Sequence, residues 1–357
     1  MKKNTTHFKI FCLLFLAAFS AQGSSLVHNP QNGDGIEEEK FVTIGGIEQW
    51  ITIKGHDKNN PVILYIHGGP GSPMSPYADT IFHDWKKDFT IVNWDQRGSG
   101  KTYGKNTPDK LDADFLKSNP LRLEQMIEDG VEVAGYLIDY LDQEKIILMG
   151  ESWGSILAVK MLGENSELFR CYIGNSQIVN PSEDLKFAYQ KIKEIATREN
   201  DQESLKQLTE IGKPPYDNGM TAGRLFRIIK KYERKYSSPV PQNWWNPSPD
   251  YDNKTDAKNR FEGDDYSFFS FIGDQNLGIV GMSKKINLWE SSTHLKAPVH
   301  IFQGEHDILS PFEISKAYFD ALQQPLKTYS FVKGAGHGTH PNILAEQYKF
   351  LMENYKN

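Results

Sequence analysis

Along the chain, short unbroken apolar runs alternate with longer stretches whose apolar positions recur every three or four residues. KFVTI and QWITIK read as paired β-strands, joined at Gly45-Gly46 by a two-residue turn signal. PVILYIHGG and FTIVNWDQRG follow as continuous apolar runs, KIILMG as another buried strand, and CYIGNSQIV, APVHIFQG and LKTYSFV complete the strand series. Such runs suit strands buried on both faces of a mostly parallel sheet. Between them, LRLEQMIEDGVEVAGYLIDYLD sets Met126, Ile127, Val131, Ala134, Leu137, Ile138 and Leu141 at helical spacing beneath an acidic face. SWGSILAVKMLGE predicts a central helix, apolar nearly all round, and PNILAEQYKFLMENY a final helix with Pro341 in its first turn. The expected class is α/β, a mostly parallel eight-stranded sheet with helices on both faces.

From about residue 179 to 294 the texture changes. DLKFAYQKIKEIATREN, ESLKQLTEI and RLFRIIKKYERKY are charged and helical, and VPQNWWNPSPDYDN is rich in proline and aromatics. The segment interrupts the strand series, so it predicts an inserted, mainly helical cap over one end of the sheet. Core segments then fall at 41–178 and 295–357. Ahead of them, MKKNTTHFK is basic, IFCLLFLAAFSA is apolar, and small residues follow. That is the layout of a secretory signal over 1–23 with a linker over 24–40, and the run is too short for a stable membrane anchor. Export to a periplasm or the medium is the expectation. Without the signal, Cys171 is the one cysteine left, which excludes an intrachain disulfide and reads as a small buried strand residue. A formal charge of −6 on 357 residues, without basic clusters, argues against a nucleic-acid partner.

GESWG at 150–154 matches G-x-S-x-G, with a strand before it and a helix after it as that motif requires. The glycines allow the sharp turn on which Ser152 stands. A serine hydroxyl needs a base oriented by a carboxylate, in chain order serine, acid, histidine. His337, in the glycine-flanked loop KGAGHGTH after a late strand, is the candidate base. Its neighbour His340 precedes Pro341, starts the final helix and faces away. In the loop after PVHIFQG, Asp307 is preferred as the acid, with Glu305 as the alternative. An ordinary imidazole in this role predicts loss of activity below about pH 6. Backbone N–H donors for a developing oxyanion are expected from Trp153, after the serine, and Gly69 in HGGPG, after the third strand.

DQRGSGKT at 95–102 nearly spells a phosphate-binding loop, but Asp95 stands where the first glycine belongs. The following Tyr-Gly-Lys-Asn-Thr-Pro predicts no helix, so nucleotide binding is set aside. Arg97 and Asp95 are expected to tie this turn beneath HGGPG and the cap.

With HGGPG at 67–71, DQRGSG at 95–100, SWGS at 152–155, Asp307 and His337 in this order, the chain resembles the proline iminopeptidase (prolyl aminopeptidase) family of α/β-hydrolases. The resemblance covers roughly 41–178 and 295–350. It implies the α/β-hydrolase fold, serine catalysis without cofactor or metal, and release of an N-terminal residue, typically proline, from small peptides. It also implies acidic cap residues for the substrate's amino group and aromatics for the proline ring. Glu183, Glu262, Asp264, Asp265, Trp244 and Phe268 are the candidates for those roles. Two readings stay open beside it: the same triad acting on small-molecule esters, amides or lactones, and a binding protein that has lost the chemistry.

Overall fold

In the computed structural model the described residues are 35–108, 111–324 and 326–356. The expected signal and most of the linker lie outside them. Eight strands form one sheet: β1 (Ile36–Ile44), β2 (Ile47–Gly55), β3 (Val62–Ile66), β4 (Thr90–Asp95), β5 (Ile146–Glu151), β6 (Phe169–Asn175), β7 (Val299–Gly304) and β8 (Lys327–Val332). Their spatial order is β1-β2-β4-β3-β5-β6-β7-β8. β1 and β2 pair antiparallel with Ile44 opposite Ile47, and β2 pairs antiparallel with β4. From β4 to β8 every pairing is parallel. Gly45 and Gly46 both take positive φ, +55° and +75°, the backbone a two-residue hairpin loop demands.

The helices that matter are α1 (Gly100–Asn106), α2 (Leu123–Tyr140), α3 (Trp153–Glu164), α4 (Pro181–Arg198), α5 (Gln202–Ile211), α6 (Gly219–Tyr236), α7 (Lys254–Ile272), α8 (Phe312–Ala321) and α9 (Pro341–Asn354). The side-chain period of two divides each central strand between two cores. Val62, Leu64 and Ile66 of β3 join one core with α2, α3 and α8; Ile63 and Tyr65 join the other with Phe82, Trp85 and α9. α3 is buried nearly all round, as its composition predicts, so it sits against the sheet and beneath other elements. Each large apolar side chain so covered stabilises by about 1.5–3 kcal/mol. Cys171 is a fully buried member of the second core.

α4 to α7 fall between β6 and β7 in the chain, and the proline-rich stretch forms 3-10 turns at Gln242–Trp245 and Pro249–Tyr251. Among the described residues no helix is long and apolar enough to cross a membrane. One expectation is corrected. Gly100–Asn106 is helical despite Gly104, because Asp95 caps it: the carboxylate accepts the N–H of Lys101 at 2.8 Å, and Thr102 Oγ1 donates to the Asp95 carbonyl at 2.6 Å. The residue that spoils the phosphate motif is the one that closes this helix end. Lys101 Nζ lies 4.4 Å from the ring centre of Trp50 and 4.1 Å from that of Tyr251, a cation between two aromatic faces.

Candidate active site

Four loops meet at the carboxyl ends of the parallel strands, the usual position for sites in such sheets. They follow β3 (HGGPG), β5 (Ser152), β7 (Asp307) and β8 (His337). Ser152 has φ +54° and ψ −120°, a strained conformation between the end of β5 and the start of α3. The flanking glycines permit it. A Cβ at Gly150 would lie 2.5 Å from the carbonyl oxygen of Gly154, and one at Gly154 would overlap the carbonyl oxygen of Ile66. Gly304 does the same for the histidine loop, since a Cβ there would lie 2.5 Å from the carbonyl oxygen of Gly336.

Ser152 Oγ lies 2.8 Å from His337 Nε2, and His337 Nδ1 lies 2.9 Å from Asp307 Oδ1. With Nδ1–H donating to Asp307, Nε2 is free to accept the serine proton. Asp307 is held in turn by the Ser310 N–H (2.8 Å), the Ser310 hydroxyl (2.7 Å) and the Gln303 amide (2.9 Å). Burial alone would raise the pKa of Asp307, but His337 and these donors outweigh it and keep the carboxylate ionised. Burial alone would lower that of His337, yet Asp307, then Glu233 and Glu151, raise it to about 9. The imidazole is therefore more basic than the sequence-based expectation of a limb near pH 6. Glu305, the alternative acid, instead accepts the Gly334 N–H, 2.9 Å away. His340 caps α9 and faces Ser238.

The sequence profile of the alpha/beta hydrolase fold matches residues 61–342. The chain belongs to this family. A protein of Bacillus subtilis (strain 168) named "Probable aminopeptidase YbaC" is 30% identical over 317 residues, 86% of this chain and 93% of its own. A proline iminopeptidase of Lactobacillus helveticus (strain DPC 4571) is 30% identical over 115 residues, 32% of this chain and 34% of its own. The crystal structure of a Mycobacterium smegmatis proline iminopeptidase superposes with a TM-score of 0.60 at 18% identity, covering 88% of this chain and 97% of the other. The motif resemblance and the fold class read from the sequence are both borne out, and the chain is a hydrolase of this fold.

In this α/β-hydrolase a narrow, largely apolar cleft with a cavity volume of about 30 Å³ opens beside the serine. Gly69, Ser152, Trp153, Ile178, Pro181, Asp184, Leu185, Phe226, Phe271 and Leu309 line it, so both expected oxyanion donors border the reacting hydroxyl. Trp153 opens α3, where N–H groups lack partners within the helix. Its indole donates to Gln96 Oε1 at 3.0 Å, and Gln96 Nε2 donates to the carbonyl of His67 at 2.9 Å. Gln96 and Ser99 thus brace HGGPG, the task expected of Arg97. Arg97 instead donates to Asp129 at 2.8 and 3.0 Å and to the Gly45 carbonyl, anchoring the β1–β2 hairpin, while the Asp95 carboxylate accepts from Ser75, just past HGGPG, and from the N–H of Lys101. The tie to the cap segment runs through Gly98, whose carbonyl accepts from Ser267 at 2.8 Å.

None of the six candidate substrate contacts is among the residues lining this cleft. Glu183 is exposed and pairs with Lys186 at 2.8 Å, because its helical position points outward. Glu262 pairs with Lys258 and accepts from Tyr103 of α1. Asp264 accepts from Ser72 at 2.7 Å, which docks α7 on the HGGPG loop. Asp265 sits next to it, its pKa raised to about 6 by burial and then by Asp264 and Glu262. Trp244 packs on the second core, and Phe268 packs edge-on against Phe226, one layer behind the cleft wall.

The acidic group that does line the cleft is Asp184. Its Oδ2 accepts the N–H groups of Val179 and Asn180, both at 3.1 Å, while Oδ1 is buried without a partner. Burial raises its pKa to about 8. Glu233, on α6, is a second carboxylate not anticipated as part of the site. Its Oε1 accepts the N–H groups of Ile308 (2.8 Å) and Leu309 (3.1 Å), fixing the loop that carries Asp307. Glu233, Asp307 and His337 are close enough to share a metal ion, but both ring nitrogens of His337 and the oxygens of Asp307 are engaged in the chain described above.

Proposed function

We propose that this hydrolase is a serine aminopeptidase that releases an N-terminal proline, or a similarly compact apolar residue, from small peptides. The observation that carries the reading is the continuous hydrogen-bond chain Ser152–His337–Asp307, opening on a cleft whose one acidic lining residue, among those described, has a carboxyl oxygen without a hydrogen-bond partner. Ser152 Oγ attacks the scissile carbonyl as its proton passes to His337 Nε2. The N–H groups of Gly69 and Trp153 receive the oxyanion. The tetrahedral adduct collapses as His337 returns the proton to the leaving amine, and water repeats the sequence on the acyl-enzyme. Asp184, in the cleft wall, holds the substrate's free ammonium group when ionised, and Ile178, Leu185, Phe226 and Phe271 enclose its side chain.

The basic, apolar and small-residue succession at the amino terminus supports export of the enzyme to a periplasm or the medium. Two measurements test the catalytic reading. A fluorophosphonate probe labels the wild-type protein and fails to label Ser152→Ala. Against a panel of prolyl and other aminoacyl arylamides and short acyl esters, the aminoacyl amides are the better substrates. An enzyme that turns over esters and no aminoacyl amide is not a peptidase.

A further inference from the structure

The residue before the reacting serine is Glu151, the last of β5, and the chemistry above does not use it. Its side chain points to the rear of the histidine loop. Oε2 accepts from Tyr65 Oη at 2.8 Å, from Asn175 Nδ2 at 3.3 Å, and from the hydroxyl of Thr339. Oε1 faces Gly338 so closely that a Cβ there would lie 3.2 Å from it. Asn175 also donates to the Gly338 carbonyl at 3.1 Å, and Ser176 Oγ accepts the Gly338 N–H at 2.8 Å. Thr339 and Gly338 follow His337 directly, so this network grips the backbone on which the imidazole is mounted. A lone carboxylate placed among three neutral donors is costly to keep from water unless it serves a neighbouring charge. The imidazole is that neighbour.

We propose that Glu151 is a positioning residue for proton transfer: it clamps the backbone after His337 through Thr339, and its negative charge favours the imidazolium that forms when Ser152 attacks. The groups facing His337 are then three carboxylates on three elements: Asp307 after β7, Glu233 on α6 and Glu151 on β5, with Asp184 of α4 further off beside Asp307. Asp307 orients the ring, Glu233 holds the Asp307 loop, and Glu151 holds the loop of the histidine itself. The inference rests on the serine-hydrolase reading.

The test follows the rate of fluorophosphonate labelling of Ser152 against pH, which needs no knowledge of the substrate. Glu151→Gln keeps an acceptor oxygen and loses the charge. Its plateau rate at high pH stays within about threefold of wild type, and the acid limb moves to lower pH, raising the rate below the limb about threefold or more. Glu151→Ala loses the acceptor and lowers the plateau at least about tenfold. Thr339→Val removes the clamp from the other side and lowers the plateau likewise, which decides the matter if Glu151→Ala does not fold. A Glu151→Gln limb that superimposes on wild type overturns the electrostatic role. A folded Thr339→Val protein with a wild-type plateau overturns the clamp. Failure of wild type to be labelled is a different result, and it overturns the serine-hydrolase reading together with this one.

Discussion

Asp184 shows how much one side chain can decide. It lies on the buried face of α4 with Pro181, Leu185, Ala188 and Ile192, whereas its neighbour Glu183 points to solvent. An ionised carboxylate in that setting costs several kcal/mol unless its oxygens are satisfied, and one of them is not. Asp184→Asn leaves the backbone contacts on one oxygen and replaces the open one with an amide. In kinetics on prolyl arylamide, kcat/KM is expected to fall about 100-fold, chiefly through KM, while hydrolysis of an uncharged acyl ester changes by less than about threefold. Equal losses on both substrates would remove Asp184 from amine recognition. The sequence does hold this signal: an acid at positions sharing a face with i+1, i+4 and i+8 apolar residues is an acid turned inward. Glu233 on α6 carries the same mark, falling in line with Leu225, Ile229 and Tyr232. Weighing acids by nearness to the start of the cap, rather than by helical face, favours Glu183 over its neighbour Asp184 and misses Glu233.

At the scale of elements, α7 is fastened to one catalytic loop, HGGPG, and to DQRGSG, the turn that braces it. Asp264 accepts from Ser72 beside HGGPG, and Ser267 donates to Gly98 of DQRGSG. The contact is so close that a Cβ on Gly71, at φ +103°, would lie 2.8 Å from both Asp264 Cα and Ser267 Cβ. Gly71→Ala is expected to destabilise the protein by about 2 kcal/mol or more and to lower kcat about tenfold, as the loop bearing Gly69 shifts. Calorimetry and steady-state kinetics read both effects. Gly135→Ala on α2, where an added Cβ meets nothing within 4 Å, is the matched control and is expected to leave both unchanged or slightly improve stability. The central strands were legible because β3, β4, β5 and β7 are buried runs closed by a turn. Ser152, His337 and Asp307 came with them, since chain order and loop position constrain the candidates to a few. What composition conceals is which loop residue braces which. Gln96 rather than Arg97 supports HGGPG because the guanidinium finds a buried carboxylate, Asp129, on the other side. Likewise α1 forms against its glycines because a tertiary cap, Asp95, outweighs local propensity.

Across the whole molecule, activity and stability are expected to follow pH in opposite directions. The reaction needs neutral His337, and its pKa of about 9 means that kcat/KM climbs as pH rises and is half-maximal above about pH 8 in a pH–rate profile. A midpoint at or below 6.5 would show that the three carboxylates do not act on the ring as described. For stability the sign is reversed. His337, with its folded pKa raised above 6.5, contributes fully below that value and loses the contribution as pH passes about 9. Asp184 and Glu233, raised by burial to about 8 and about 7, also bind more protons folded than unfolded, so their contributions fade over the same climb. The melting temperature is therefore expected to be lower at pH 9 than at pH 6 by a few degrees in differential scanning calorimetry.

The hydroxyl of Ser152 belongs to a residue only 8% exposed, and Phe271 of the clamped helix α7 stands in the wall of its cleft. A centre roofed in this manner screens its clients by girth before any chemical preference operates. Folded proteins and the middles of long polypeptides are expected to be turned away at the threshold, while loose chain ends and small molecules pass beneath the eaves.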